Sequence, residues 1–262
     1  MSYETLSLKH SYSIMTITLN TPHNYNAMSE QLLCELNKVL DDCFNNEAVK
    51  VLIICGEGKA FCAGGDIQSM QKGINDDPNK LARMVRLAGD AARKIRQLRK
   101  PVIAAVHGSA AGGGCSLALL CDFRIATKDA CFIEAFIHLG LVPDMGGVYV
   151  LSRYLGLGRL TEYMMIGNTL SATEALSLGV INQIVEKEEL ESHALLLAKK
   201  LDSLPVKALA NIKALINQTL FADFDLCLDR EVEYQHSLSQ TYDYAEGVNA
   251  FLHKRKPVFK GL

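Results

Sequence analysis

Three short apolar runs constrain this chain more than any other feature. VKVLIICGE (49–57) is β-branched and almost wholly apolar, and PVIAAVHG (101–108) and DFRIAT (122–127) repeat the theme. Such runs do not alternate apolar with polar positions. They predict strands buried on both faces, as in parallel sheets covered by helices. Residues 79–99, between the first two runs, have helical character and many basic positions. Strand, helix, strand order predicts an α/β fold, with a parallel sheet and crossover helices.

The flanking regions fit that frame. Residues 4–20, including SIMTITLN, alternate and predict a two-stranded hairpin. Ser29 opens a helix whose Leu32, Leu33, Leu36, Val39, Leu40 and Cys43 share one face. After about residue 146 the strand signal fades. SATEALSLG (171–179) carries a capping box, Ser171 with Glu174, and Gly179 as a helix stop. Helices are expected over most of 187–203, 206–220 and 224–253. The expected organisation is an α/β core over 1–195 and a helical C-terminal region over 196–262. QSMQKGINDDPNKLARM (68–84) reads as a polar, mobile pocket edge.

Bulk properties exclude several classes of function. Hydrophobic residues make up 49% and charged residues 21% of 262, which supplies a core and argues against disorder. A net charge of -2 gives no electrostatic case for nucleic acid or an anionic membrane. No run of about twenty apolar residues exists, and the N-terminus lacks a signal-peptide pattern, so a cytoplasmic protein is expected. The eight cysteines form no C-x-x-C pair, and most lie in apolar runs such as VLIIC and ALLCD. They read as buried free thiols of a reducing compartment. No histidine cluster has metal-ligand spacing, so no metal is expected.

Two glycine loops follow buried strands. The first is Ala63-Gly64-Gly65-Asp66-Ile67, and the second runs from Gly108 to Gly114 and leads into the apolar helix CSLALL. Glycines let a backbone approach a ligand closely, and a helix N-terminus offers unpaired N–H groups. Loops leaving neighbouring strands at one end of a sheet can each aim an amide at one oxygen, which makes an oxyanion hole. Neither loop has nucleotide-motif spacing. A third stretch, GLVPDMGG (140–147), sets Asp144 between a proline and a glycine pair. Pro-Asp-x-Gly is good turn chemistry, so the residues alone leave a turn aspartate and a pocket base both open.

AFCAGGDI, HGSAAGGGCSLALLCDFRIAT and FIEAFIHLGLVPDMGG, taken in order, resemble the crotonase superfamily, the enoyl-CoA hydratase/isomerase family. LNTPHNYNAM (19–28) and FLHKRKPVFKG (251–261) extend the likeness over nearly the whole chain. The resemblance implies a spiral of ββα units with a helical trimerisation region, giving trimers or hexamers. It implies an acyl-CoA thioester as substrate, with coenzyme A present as part of it and no separate cofactor. It assigns the oxyanion donors to the Gly65 and Gly113 amides. It places CoA along Ala27, Ala63, Asp66 and Ile67, with Lys254 and Lys256 as candidates for its phosphates.

The family's hydratases use two glutamates. Their positions here are Ser116 and Phe136, expected to border the substrate. Hydration needs water activated at C3 and a proton delivered to C2, and neither residue can share those tasks. Asp144 instead matches the acid of family isomerases, most nearly the phenylacetate-type enoyl-CoA isomerases, in AFIHLGLVPDMGG. The implied reaction shifts a C=C bond from the 3- to the 2-position, with Asp144 carrying the proton. An apolar lining of Phe136, Leu141 and Met145 would raise its pKa. A non-catalytic acyl-CoA-binding protein and a hydratase-like enzyme with altered chemistry are the alternatives. Gly114-Cys115-Ser116-Leu117-Ala118 also mimics a hydrolase elbow, with His193, His236 or His253 downstream, but a glycine loop stands where the strand should be. The family's dehalogenases resemble one another in a tryptophan, which this chain lacks, and in a histidine where Arg93 stands here. His107 and His138 read as core or pocket-wall residues.

Overall fold

The expected N-terminal hairpin opens the sheet. β1 (Leu6–Ser11) pairs antiparallel with β2 (Ile14–Leu19), Leu6 opposite Leu19. From β2 onward every neighbour in this sheet is parallel: β3 (Val51–Gly56), β4 (Val102–Val106), β6 (Phe123–Thr127) and β9 (Gln183–Val185), in the order β1-β2-β3-β4-β6-β9. This is a computed structural model, and it describes residues 3–262.

The apolar runs are explained by what covers each face. Leu52 and Ile54 of β3 join a large cluster that includes Leu32, Leu36 and Leu40 of α1 (Glu30–Asn45) and Ala91, Ala92 and Ile95 of α3 (Lys80–Gln97). Val51 and Ile53 point the other way, into a cluster with Ile103, Ile125 and the Leu190, Ala194, Ala198 and Leu201 face of α8 (Leu190–Asp202). A strand with helices on both faces has no solvent side, so each of these side chains contributes about 1.5–3 kcal/mol of burial. Helix α1 begins as expected, with the Ser29 hydroxyl accepting from the Leu32 amide at 3.1 Å.

Several elements differ from the sequence reading. Residues 67–76 form a helix, α2 (Ile67–Asp76), where a polar edge was expected, because the Asp66 carboxylate caps the amides of Gln68 and Ser69. A second sheet, order β5-β7-β8, is built from β5 (Ser109–Ala111), β7 (Cys131–Ile133) and β8 (Thr169–Ser171). Its three-residue strands are too short to show a period. Residue 195 lies inside α8, so no linker marks that position. All eight cysteines are free thiols; Cys43, Cys62, Cys115 and Cys121 are buried as expected, whereas Cys34 is exposed.

The remaining helices are α4 (Gly113–Leu120), α5 (Gly147–Leu151), α6 (Leu157–Ile166), α7 (Ala172–Ser177), α9 (Val206–Leu220), α10 (Phe224–Leu238) and α11 (Tyr242–Leu252). The capping box of Ser171 and Glu174 is present at α7. Helix α9 is pinned by a buried charge cluster: Lys213 Nζ donates to Asp122 Oδ2 at 2.7 Å, and Arg96 donates to Asp122 Oδ1 at 3.2 Å. Helix α10 lies on α3, and α11 lies on α2 and on the 3-10 turn Ala135–Leu139. These contacts bring the C-terminal helices to the ends of the two glycine loops. Among the described residues no helix is long and apolar enough to cross a membrane.

Candidate active site

The two glycine loops run side by side beyond the end of the main sheet. The Cys62 amide donates to Ser109 O at 3.1 Å, and the Ala111 amide returns to Cys62 O at 2.9 Å. On the outer side, Met28 N donates to Gly64 O at 2.7 Å and Asp66 N donates to Met28 O at 3.2 Å. This ladder skips the Gly65 amide. Gly113 is the first residue of α4, so its amide lacks a helical acceptor. Neither amide donates a hydrogen bond among the described residues. Both are held by the ladder and open to a ligand.

Glycine is required for that approach. Gly64 has φ +86°, and a Cβ there would lie 2.6 Å from Ala111 O. A Cβ on Gly114 would lie 2.4 Å from Cys62 O. Main-chain atoms occupy both positions, so the loops can pack this closely only without side chains.

The free amides border a cavity of about 210 Å³. Its wall is apolar: Met28, Leu33, Ile67, Met70, Leu81 and Met84 on one side, Phe136, Leu139, Leu141 and Phe251 on the other. Among the described residues the wall carries two ionisable side chains, Asp144 and His138. His138 Nε2 lies 3.4 Å from Gly167 O on an exposed edge. Asp144 lies at the inner end, where a Cβ on Gly113 would stand 3.6 Å from its Oδ1. The carboxylate therefore faces the Gly113 loop directly.

Local bonding fixes the Asp144 turn. Ser116 Oγ donates to the Asp144 carbonyl at 2.8 Å, and the Gly147 amide donates to the same oxygen at 3.1 Å. From α10, Glu231 accepts the Gly146 amide at 3.1 and 3.2 Å through its two oxygens. One helical turn later, Gln235 Nε2 donates to Val142 O at 2.6 Å and reaches Asp144 Oδ2 at 3.4 Å. Asp144 keeps some surface on the cavity, but its carboxyl lies deep in the protein. Burial raises its pKa to about 7, opposed by the Gln235 hydrogen bond. Burial and the Asp144 charge raise Glu231 to about 8.

Most of the residues anticipated from sequence meet here. Ala63, Gly65, Ile67, Gly113, Phe136 and Asp144 line the cavity, and Ala27 is buried beside Met28. Asp66 is off the wall, its carboxylate occupied in capping α2. Ser116 departs from expectation: it is fully buried, does not line the cavity and acts from behind the Asp144 turn. Its place in the first turn of α4 directs it into the core. Lys254 and Lys256 are exposed on the tail after α11, beyond Phe251. Glu134, Glu231 and Gln235 escaped the sequence reading. The last two are four apart on one helix face, which was the available signal.

The sequence profile described as enoyl-CoA hydratase/isomerase matches residues 9–262. The chain belongs to the enoyl-CoA hydratase/isomerase family. Within the family it is 38% identical over 249 residues to a 1,2-epoxyphenylacetyl-CoA isomerase of Escherichia coli, covering 95% of each chain. It is 35% identical over 249 residues to a trans-2-decenoyl-[acyl-carrier-protein] isomerase of Streptococcus mutans, again covering 95% of each. A crystal structure of an enoyl-CoA hydratase from Mycobacterium avium subsp. paratuberculosis matches with a TM-score of 0.90 at 28% identity, covering 99% of this chain and 100% of that one. The fold is thus the crotonase fold of this enoyl-CoA hydratase/isomerase family, as the sequence motifs imply.

Proposed function

We propose that this family member is an enoyl thioester isomerase that moves a C=C bond between the 3- and 2-positions, with Asp144 as the single proton carrier. The observation that carries this reading is the cavity wall, where one carboxylate stands against the Gly113 amide and, among the described residues, no second carboxylate lines the cavity. Asp144 takes a proton from C2 of a 3-enoyl thioester. The electron pair left on C2 delocalises onto the thioester oxygen, which the Gly65 and Gly113 amides hold. Asp144 then returns the proton to C4, the double bond forms between C2 and C3, and atoms and charge balance. One carboxylate suffices because the proton stays on one face of a planar dienolate. Each donor lowers the barrier by about 3 kcal/mol in sites of this type.

Hydration would need a second acid or base near the same carbons. Phe136 occupies one family glutamate position and Ser116, turned into the core, the other. The apolar wall suits a hydrocarbon acyl group. The acyl thioester is placed on CoA, with Ala63 and Ile67 along it and Lys254 and Lys256 reaching its phosphates. The exposed Ile212, Leu215, Ile216 and Leu220 of α9 support self-association into trimers or hexamers, and sedimentation as a monomer alone would reject it.

The test is incubation of trans-3-enoyl-CoA in D2O, followed by mass spectrometry and conjugated-thioester absorbance. The expected product is the 2-enoyl isomer, with deuterium at C4 when exchange at Asp144 outpaces return. A 3-hydroxyacyl thioester as the main product would overturn the reading. The same assay with an acyl carrier protein thioester separates the two carriers.

A further inference from the structure

Among the described residues, Glu134 is the acidic side chain that leaves both of its buried oxygens without an N–H or O–H donor. It follows β7 and is 2% exposed. No N–H or O–H donor reaches either carboxyl oxygen among the described residues, and only the Cys115 thiol is turned toward them. It occupies the N-cap position of the 3-10 turn Ala135–Leu139 but caps nothing. Buried carboxylates are ordinarily paired or hydrogen-bonded, so an orphaned pair of oxygens calls for an explanation.

Its position supplies one. A Cβ built on Gly147 would lie 2.7 Å from Ser116 Oγ and 3.7 and 3.8 Å from the two Glu134 oxygens. Ser116 Oγ and the Gly147 amide are the two donors that hold the Asp144 carbonyl. The Glu134 carboxyl thus sits under the turn that carries the proposed base, on the side away from the cavity.

The groups that face it are acidic or weakly acidic. Helix α4 presents the Cys115 thiol, the turn presents Asp144, and α10 presents Glu231. Among the described residues no lysine, arginine or histidine forms an ion pair with it. Three carboxyls so placed cannot all be charged at once. Burial raises Glu134 to about 7, opposed by the Cys115 thiol and reinforced by the Asp144 charge.

Two differences decide which proton leaves first. Asp144 has surface on the cavity and a donor in Gln235. Glu134 has neither. Asp144 therefore ionises while Glu134 is still an uncharged acid, and the two steps belong to the coupled set rather than to isolated groups.

We propose that Glu134 is a positioning residue of this site, an uncharged acid beneath the Asp144 turn whose ionisation stops turnover by placing a second negative charge behind the forming enolate. The inference rests on the proposed enolate chemistry. It predicts a bell-shaped pH profile for kcat/KM. The rising limb reports Asp144, and the falling limb reports Glu134.

The experiment compares wild type, Glu134→Gln and Glu231→Gln from pH 5 to 9.5 on the isomerisation. Glu134→Gln keeps a side chain of the same shape that cannot ionise. Its rising limb is expected to stay in place while its falling limb disappears. At one pH unit above the wild-type falling midpoint, this variant should hold its plateau while wild type has lost about tenfold. The same limbs in Glu134→Gln and wild type, at whatever overall rate, would overturn the proposal. So would a falling limb that survives in Glu134→Gln and vanishes in Glu231→Gln.

A second readout does not depend on turnover. A carboxyl whose folded pKa is raised binds more protons in the folded state, so its contribution to stability falls as pH rises from about 4.5 to about 7. Urea unfolding of Glu134→Gln should show a shallower fall over that window than wild type. An equal slope would refute the proposal even if no acyl thioester is turned over. Glu134→Met, an apolar replacement of similar length, repeats both measurements should the glutamine variant fold poorly. Loss of activity in Asp144→Asn is a separate result and bears on the base alone.

Discussion

Replacing Asp144 with Asn should slow turnover by orders of magnitude and stabilise the protein in one step. The carboxyl's pKa rises from 3.8 to about 7 on folding, three units, and each unit is 1.36 kcal/mol, so holding the charged form in this site costs about 4 kcal/mol. The sign follows from proton counts. Between pH 4 and 7 the folded state binds more protons at this group than the unfolded state, so the group's contribution to stability falls as pH rises through that window and levels off above it. Asn carries no charge, so the gain in Asp144→Asn is absent below pH 4 and complete by pH 8. About 4 kcal/mol is the ceiling; an amide less well bonded than the carboxylate would bring the gain to about 1–2 kcal/mol, the usual size for such changes.

Activity moves the opposite way. A lost general base costs about 10²–10⁴-fold, and the upper end is expected where one group both takes and returns the proton. In wild type, kcat/KM should fall tenfold per pH unit below the Asp144 midpoint near 7, because only the ionised carboxylate accepts a proton. Urea unfolding at pH 4 and 8, together with isomerase assays across pH, covers all three expectations. A variant within tenfold of wild-type kcat/KM would falsify the role of Asp144 as base. A variant less stable than wild type at pH 8 would show that the burial argument is wrong even if activity is lost.

Gln235→Leu withdraws the one donor from Asp144 Oδ2, so the rising limb of kcat/KM should move to higher pH; an unmoved limb would exclude that contact as a pKa determinant. Gly64→Ala forces a side chain onto φ +86° and against Ala111 O, and should lower stability by at least about 2 kcal/mol and uncouple the loops; an unchanged Tm and rate would contradict the packing described. Lys213→Met leaves Asp122 paired with Arg96 but drops the bonds to Ile95 O and Lys100 O, at a cost of about 3 kcal/mol in urea unfolding with kcat/KM unchanged. A loss below about 1 kcal/mol would mean that the buried lysine is dispensable.

The sequence disclosed elements whose pattern is local. β3 and β4 showed themselves because both their faces are buried, and α1 because Ser29 caps it. Asp144 was marked by a motif within eight residues. Elements whose cause is distant stayed hidden. Glu231 and Gln235 come to the turn from α10, some ninety residues on, and in sequence are only two positions of an expected helix. α2 was masked by its polar composition, since its stability comes from the Asp66 cap and from apolar residues such as Met70 that face the cavity. Ser116 was located correctly in the chain and wrongly in space: the first turn of α4 sends its hydroxyl inward, which no spacing rule states.

The ladder between the glycine loops separates two kinds of information. The amides of Gly65 and Gly113 are main-chain groups, so any residue except proline at these positions would still supply one. In the proposed mechanism the groups that hold a negative oxygen are therefore insulated from most side-chain drift. The residues at 116, 136 and 144 are side chains and can be exchanged one at a time around those fixed groups. A scaffold divided in this way can change which carbon gains or loses a proton while keeping the means of bearing the charge, and it needs no new backbone to do so.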